Sequence, residues 1–293
     1  MPFSRRDFLK LSTAGVGGLL LIGAPHEQAS AMPTQKAMLY DASKCIGCRA
    51  CQVACKRWNK LPQVSTDSEG LYETPRDLSA DTWTIIKLRE IGPDDPGDFP
   101  FCKYQCMHCT QASCVSVCPT GAAAHRGEYV VIDQKWCIGC GYCVAACPFN
   151  VPHLGEPKGT ARKCTFCFDR VTGGQSPACV EACPAEALLF GERAGLIARA
   201  EERVRTLKNN GNPDAHLYGV SELGGLGVIY VLPRPTSLYG LPPSPKVATS
   251  NVLFQWLSGL IAAGTVVAFP FWLLFRRKEE LTAEKSSEGG EKR

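Results

Sequence analysis

The sequence predicts an α+β fold organised around metal-binding cysteines and closed by one C-terminal transmembrane helix. Three observations predict it. Short segments rich in β-branched and aromatic residues are scattered between cysteine groups, sixteen of the 17 cysteines fall into four sets of four, and residues 252–275 form an uncharged apolar run. At 293 residues, 45% hydrophobic and 20% charged, the chain is ordinary for a globular protein with a real core and leaves room for one or two domains. A net charge of +4, with no basic stripe, argues against nucleic acid as a partner.

Taken in order, the first element is a targeting segment. SRRDFLK at 4–10 precedes the apolar run LSTAGVGGLLLIGA and the small-x-small site Ala29-Ser30-Ala31, so residues 1–31 read as a twin-arginine export signal. That route is associated with proteins already folded around a cofactor. MLYD (38–41), WTIIKLRE (83–90), YVVID (129–133) and ALLFG (187–191) read as strands from their apolar, β-branched and aromatic content. GLIARAEERVRTLKNNG places Leu196, Ala200, Val204 and Leu207 on one face of an amphipathic helix that ends at Asn210-Gly211 and packs on the core. GGLG at 224–227 comes before the strand-like VIYVL, the wrong order for a dinucleotide site, and reads as a turn. The Pro-rich stretch YVLPRPTSLYGLPPSPK reads as an extended linker toward the membrane.

The last element spans a bilayer. Residues 252–275 are long enough as a helix to cross roughly 30 Å of hydrocarbon, with Trp256 and Trp272 near the two interfaces. Arg276, Arg277 and Lys278 follow at once and place the C-terminal tail, 276–293, in the cytoplasm, with the body on the exported side. Pro270 sits near one end of the span, where neighbouring groups can satisfy the freed carbonyl.

The cysteines carry the chemistry. Cys45, Cys48, Cys51 and Cys55 follow the spacing C-x2-C-x2-C-x3-C, and Cys137, Cys140, Cys143 and Cys147 repeat it. Cys106, Cys109, Cys114 and Cys118 form a second set in chain order, and Cys164, Cys167, Cys179 and Cys183 a fourth. Disulfides favour small loop-rich chains and need no repeated run, while tetrahedral zinc has no use for a third and fourth cysteine so close behind a C-x2-C pair. What remains is the bacterial ferredoxin run, in which three thiolates clamp one [4Fe-4S] cube and the fourth reaches a neighbouring cube. Sixteen thiolates at four per cube make four clusters.

Residues between the ligands agree. Gly47, Gly139 and Gly141 let backbone curl closely around a cluster. Pro119, Pro148 and Pro184 follow three of the fourth cysteines, whereas Lys56 follows Cys55 and alters only the turn after the ligand. Among the five histidines there is no metal-ligand spacing, and His108, inside Cys106–Cys109, is expected to support the site rather than ligate. The odd cysteine, Cys102, stands outside every repeat and is expected to be a passive, partly buried residue. There is no C-x-x-C-H, and no P-loop, catalytic triad or carboxylate pair can be picked out with any specificity, so no catalytic residue is expected. Spacing alone leaves the sharing of clusters open, since motifs two and three, or three and four, could each form a two-cluster unit.

CIGCGYCVAACPFNVPHL at 137–154, KCTFCFDRVTGGQSPACVEACPAEAL and LYGLPPSP resemble the iron-sulfur (beta) subunit of membrane-bound formate dehydrogenase over most of the chain after the export signal. The electron-transfer subunit of periplasmic nickel-iron hydrogenase is similar too and stands as the alternative; a structural anchor or assembly factor is a further one. The resemblance implies two nested ferredoxin-like (4Fe-4S dicluster) halves, one formed by 32–100 with 158–250 and the other by 101–157. It implies that Cys45, Cys48, Cys51 and Cys183 hold the first cluster, and Cys55, Cys164, Cys167 and Cys179 the second. Cys106, Cys109, Cys114 and Cys147 would hold the third, and Cys118, Cys137, Cys140 and Cys143 the fourth. It also implies a non-catalytic electron-transfer subunit of anaerobic respiration, sited at the inner membrane with its clusters on the periplasmic side. Its partners would be a molybdenum- or tungsten-pterin catalytic subunit and a cytochrome b membrane subunit that reduces quinone.

Overall fold

Strand alternation organises the centre of the molecule. A computed structural model describes residues 35–63, 74–89, 100–156 and 159–290, and from Lys36 onward the chain forms one unit. The expected export signal, 1–31, lies outside the described residues. In chain order the elements are β1 (Lys36–Asp41), α1 (Ala50–Trp58), β2 (Thr84–Leu88), β3 (Phe101–Gln105), α2 (Ser113–Ser116), β4 (Ala123–Arg126), β5 (Tyr129–Ile132), α3 (Tyr142–Ala146), β6 (His153–Gly155), β7 (Thr160–Arg162), α4 (Phe168–Thr172), α5 (Ala178–Glu181), β8 (Leu188–Glu192), α6 (Arg193–Asn209), β9 (His216–Tyr218), β10 (Val228–Leu232) and α7 (Val252–Gly290). All four expected strands and the amphipathic helix are present, and GGLG falls at a tight turn, with Gly224 and Gly225 at positive φ.

A four-stranded sheet in the order β8–β1–β10–β9 is the largest, with β1 parallel to β10 and antiparallel to β8. Because side chains alternate along a strand, each of its central strands serves two cores. Ala37 and Leu39 of β1 and Ile229 and Val231 of β10 face α6, where they meet Leu196, Ala200 and Leu207. Met38, Tyr40, Val228, Tyr230 and Leu232 face the other way and pack against the cysteine region through Phe166, Cys51 and Cys179. Every residue of β10 is buried, so its continuous apolar run reflects a strand covered on both faces. Each fully buried aliphatic side chain there stabilises the fold by about 1.5–3 kcal/mol. Helix α6 ends as its sequence indicates, with Gly211 at φ 90° donating its N–H to the Lys208 carbonyl.

The remaining strands form three antiparallel pairs, β2–β3, β4–β5 and β6–β7, among the cysteine motifs. Two elements behave differently from the sequence reading. The stretch expected as an extended linker starts as the end of β10 and then folds back on the core: Tyr239 and Leu241 are buried, Tyr104 Oη donates to the Tyr239 carbonyl, and Tyr218 Oη donates to Pro242 O at 2.8 Å. Its aromatic and leucine side chains anchor it while its prolines keep it out of helix and sheet. The apolar C-terminal run lies in α7, which continues to Gly290; Trp256–Lys278 is long and apolar enough to cross a membrane, and Ile261, Val266 and Leu274 on it are exposed. Such an unpartnered apolar helix needs lipid or protein around it.

Candidate iron-sulfur centres

Four cavities are lined by four cysteines apiece. The first contains Cys45, Cys48, Cys51 and Cys183. The second contains Cys55, Cys164, Cys167 and Cys179. The third contains Cys106, Cys109, Cys114 and Cys147, and the fourth Cys118, Cys137, Cys140 and Cys143.

Two structural devices bring these distant residues together. In the first, an antiparallel strand pair closes each half. Tyr40 of β1 pairs with Leu188 of β8, and Cys45 and Cys183 each stand five residues outside that pair. Ala123 of β4 pairs with Ile132 of β5, and Cys118 and Cys137 each stand five residues outside that one. In the second, the x3 spacing puts the last two cysteines of a motif one helical turn apart on a common face. Cys51 and Cys55 on α1 therefore serve the first and second cavities, while Cys179 and Cys183 at α5 serve the second and first. The same exchange links the third and fourth cavities through Cys114 with Cys118 and Cys143 with Cys147. Helix α1 packs on α5 and α2 on α3, so each half is a reciprocal pair. Cys106 and Cys164 lie in one small core and join the second cavity to the third.

Backbone shape is equally regular. The third residue of the first C-x2-C loop in each of the four motifs adopts positive φ: Gly47 at 69°, His108 at 47°, Gly139 at 70° and Phe166 at 61°. At Gly47 a side chain would collide with the Phe101 ring, and at Gly139 a Cβ would lie 2.5 Å from the Gly159 carbonyl oxygen. The other two loops tolerate the conformation because their side chains are locked by packing. His108 and Phe166 meet edge to face at 4.9 Å, and Tyr129 stacks on Phe166 at 4.6 Å. The Val130 N–H donates to His108 Nδ1 at 3.1 Å, which places the ring proton on Nε2, and burial pushes this imidazole well below its usual pKa. His108 lines none of the four cavities and is a neutral support, as expected from the sequence.

The donor set suits iron-sulfur cubes rather than single ions. Among the described residues no three His, Cys, Asp or Glu side chains converge on a point that could hold one metal ion, as zinc with its roughly 2.3 Å bonds to sulfur requires. All the cysteines are free of disulfides. Burial pushes the thiols of Cys51, Cys114 and Cys164 up to about 12 and those of Cys143 and Cys167 to about 11. Amide groups aim at the sulfurs: Ala161 N–H donates to Cys137 Sγ at 3.3 Å, Ala123 N–H to Cys118 Sγ at 3.4 Å and Phe166 N–H to Cys164 Sγ at 3.4 Å. Such bonds favour thiolate and tune a bound cluster.

Two buried lysines beside the site are not among the residues expected from the sequence. Lys103 and Lys163 are 0% and 3% exposed, beside the cysteines. Lys103 Nζ donates to Thr84 Oγ1 and Gln105 Oε1; Lys163 Nζ donates to the carbonyls of Val130 at 2.5 Å and Cys164 at 3.1 Å. Burial opposes the charge on each, and facing cysteines more than offset it: Cys179, Cys51, Cys164 and Cys55 for Lys103, and Cys106, Cys114 and Cys164 for Lys163. The available signal was a lysine immediately before Cys164 and another in an otherwise inward-facing strand position.

Cys102 lies in β3, fully buried, and lines none of the cysteine cavities. Burial pushes its thiol up to about 12. Cys102→Ser is therefore expected to leave every cluster signal in place, and Cys102 should resist alkylation by iodoacetamide at pH 8 in the folded protein. Iron loss in the serine variant or rapid labelling would contradict its placement.

Comparison with known proteins agrees with the site. Residues 98–193 match the family model described as 4Fe-4S dicluster domain, and residues 36–57 the 4Fe-4S binding domain model. The chain is 40% identical to the formate dehydrogenase, nitrate-inducible, iron-sulfur subunit of Escherichia coli strain K12, over 84% of this chain and 85% of the relative. It is 38% identical to the formate dehydrogenase-O iron-sulfur subunit of the same organism, over 92% and 90%. A more distant relative is the hydrogenase-2 operon protein HybA of Escherichia coli O157:H7, at 33% over 90% and 93%.

Proposed function

The chain belongs to the family of formate dehydrogenase iron-sulfur subunits, and from that premise we propose that it relays electrons from a formate-oxidising catalytic subunit to a quinone-reducing membrane subunit. The observation that carries this is the set of four cysteine-lined cavities, joined first to second through α1 and α5, second to third at Cys106 and Cys164, and third to fourth through α2 and α3. Bound [4Fe-4S] clusters, one in each cavity, supply one-electron centres. The sixteen cysteines named for the cavities hold them, and the surrounding apolar core excludes water. The two ferredoxin-like halves divide the chain into 32–100 with 158–250 and 101–157.

Both ends of the row reach the surface. Cys48 of the first cavity is exposed, with exposed Ile46 and Val53 near it in the motif. Cys140 of the fourth is exposed, between Trp136, Ile138 and Tyr142, and the first two of these are each 67% exposed. The segment that leads to the anchor is tied to the second half, where Ala248 N–H donates to Ser113 Oγ at 3.1 Å and Thr249 Oγ1 to Ser116 Oγ at 3.5 Å. This favours docking of a cytochrome b membrane subunit at the fourth cavity and of a molybdenum- or tungsten-pterin subunit at the first. Arg276, Arg277 and Lys278 at the end of the span favour a cytoplasmic C-terminus, and the twin-arginine motif favours export, so the cluster body would lie on the periplasmic side of the inner membrane.

Anaerobic iron analysis tests the count and reduction assays test the donor. The purified membrane complex should contain about sixteen irons per copy of this chain beyond those of its partners, and formate should reduce these clusters in the presence of the catalytic subunit. Eight irons or fewer on fully loaded protein would refute four clusters. Reduction by hydrogen and not by formate would favour the hydrogenase role suggested by the more distant relative.

A further inference from the structure

The described residues contain two ammonium groups whose placement demands negative charge. Lys103 and Lys163 are buried, and apart from the Cys106 sulfur beside Lys163 their hydrogen-bond acceptors are neutral: a hydroxyl, a side-chain amide and two backbone carbonyls. Neither takes part in any of the ion pairs formed by the described residues. Burying an ammonium without a compensating anion costs several kcal/mol, so an anion must lie close by. The candidates are the cysteine cavities. Thr84 and Gln105, which hold Lys103 Nζ, both line the second cavity, and Lys103 pairs across the β2–β3 ladder with Ile86, which lines the first. Lys163 lines the third cavity and donates to the backbone of Cys164, a residue of the second. The two lysines thus stand at the first-to-second and second-to-third junctions. Among the described residues no buried lysine or arginine lines the fourth cavity.

We propose that Lys103 and Lys163 are fixed counter-cations that raise the reduction potentials of the centres in the first three cavities and leave the fourth untuned. The inference rests on the reading that the cavities hold [4Fe-4S] clusters. Reduction adds one electron to a cluster and takes up no proton, so it increases the negative charge facing each ammonium. A permanent positive charge in a poorly screened interior therefore favours the reduced form. Neither lysine touches substrate; both act by positioning charge.

The test is a potentiometric titration of the whole purified complex, followed by electron paramagnetic resonance, for Lys103→Met, Lys163→Met and the corresponding arginine variants. Each methionine variant is expected to weaken reduction of two of the four centres by about tenfold or more, a downward shift of about 59 mV per tenfold for one electron. One centre should respond to both variants, and one to neither. Arginine at either position should keep all four midpoints within about threefold of the wild type. If a methionine variant fails to load a cluster that its arginine counterpart retains, charge is again identified as the requirement, because both side chains fill the space. Equal shifts in all four centres, unshifted midpoints, or arginine and methionine variants that behave alike would overturn the proposal. A wild-type chain without four clusters would instead overturn the reading beneath it.

Discussion

Replacing Cys45 with Ser and, in a separate variant, Cys183 with Ser is expected to remove the same cluster. Both thiols line the first cavity, brought there by the β1–β8 pairing that sets Tyr40 opposite Leu188. A serine hydroxyl is a harder and less easily ionised donor than thiolate, so three remaining cysteines hold that cube poorly. Each variant should fall from about sixteen irons to about twelve, lose the same one of four resonances and cease passing electrons from formate to quinone. Cys51→Ser should reproduce the pattern, whereas Cys55→Ser, one helical turn away, should remove a different resonance. Spectra in which Cys45→Ser and Cys183→Ser affect different centres would refute the cross-chain ligand set.

Gly139→Ala should be among the most damaging changes outside the cysteines. Its φ of 70° lies in the left-handed region, and a Cβ there would come within 2.5 Å of the Gly159 carbonyl oxygen, which is backbone and cannot swing aside. The conformation costs about 1–2 kcal/mol and the clash adds to it, so a loss of about 3 kcal/mol or more is expected. Because Cys137 and Cys140 flank this glycine, the fourth centre should be the first to release iron in guanidinium. Gly141→Ala is the control: it shares the positive φ, but its nearest neighbour is Leu154 Cδ1 at 4.0 Å. Only the conformational cost, about 1–2 kcal/mol, then applies. Equal iron-release midpoints for the two variants would show that close backbone approach at Gly139 does not matter.

Much of this protein was legible in its residues because the relevant forces are local. Gly47 and Gly139 announce backbone that curls closely around a cluster, and the apolar residues of β1 and β10 announce strands, whereas the helix that carries Cys51 and Cys55 appears only in the structure. An uncharged run such as 252–275 likewise marks a candidate membrane span by length and composition. Each of these readings depends on neighbours a few residues away.

The convergence of distant residues was decided by the tertiary structure. Cys183 reaches Cys45 only because β8 and β10 flank β1 in one sheet, and spacing along the chain contains no record of that order. The same sheet folds Tyr239 and Leu241 onto a core, turning an expected linker into packed structure. Lys103 and Lys163 show the difference most plainly. In sequence they are two ordinary cations among 32, and a lysine is almost always solvated. Packing removes the water from both and leaves the cysteine cavities as the source of compensating charge, because desolvation is a property of the folded surroundings and not of the residue.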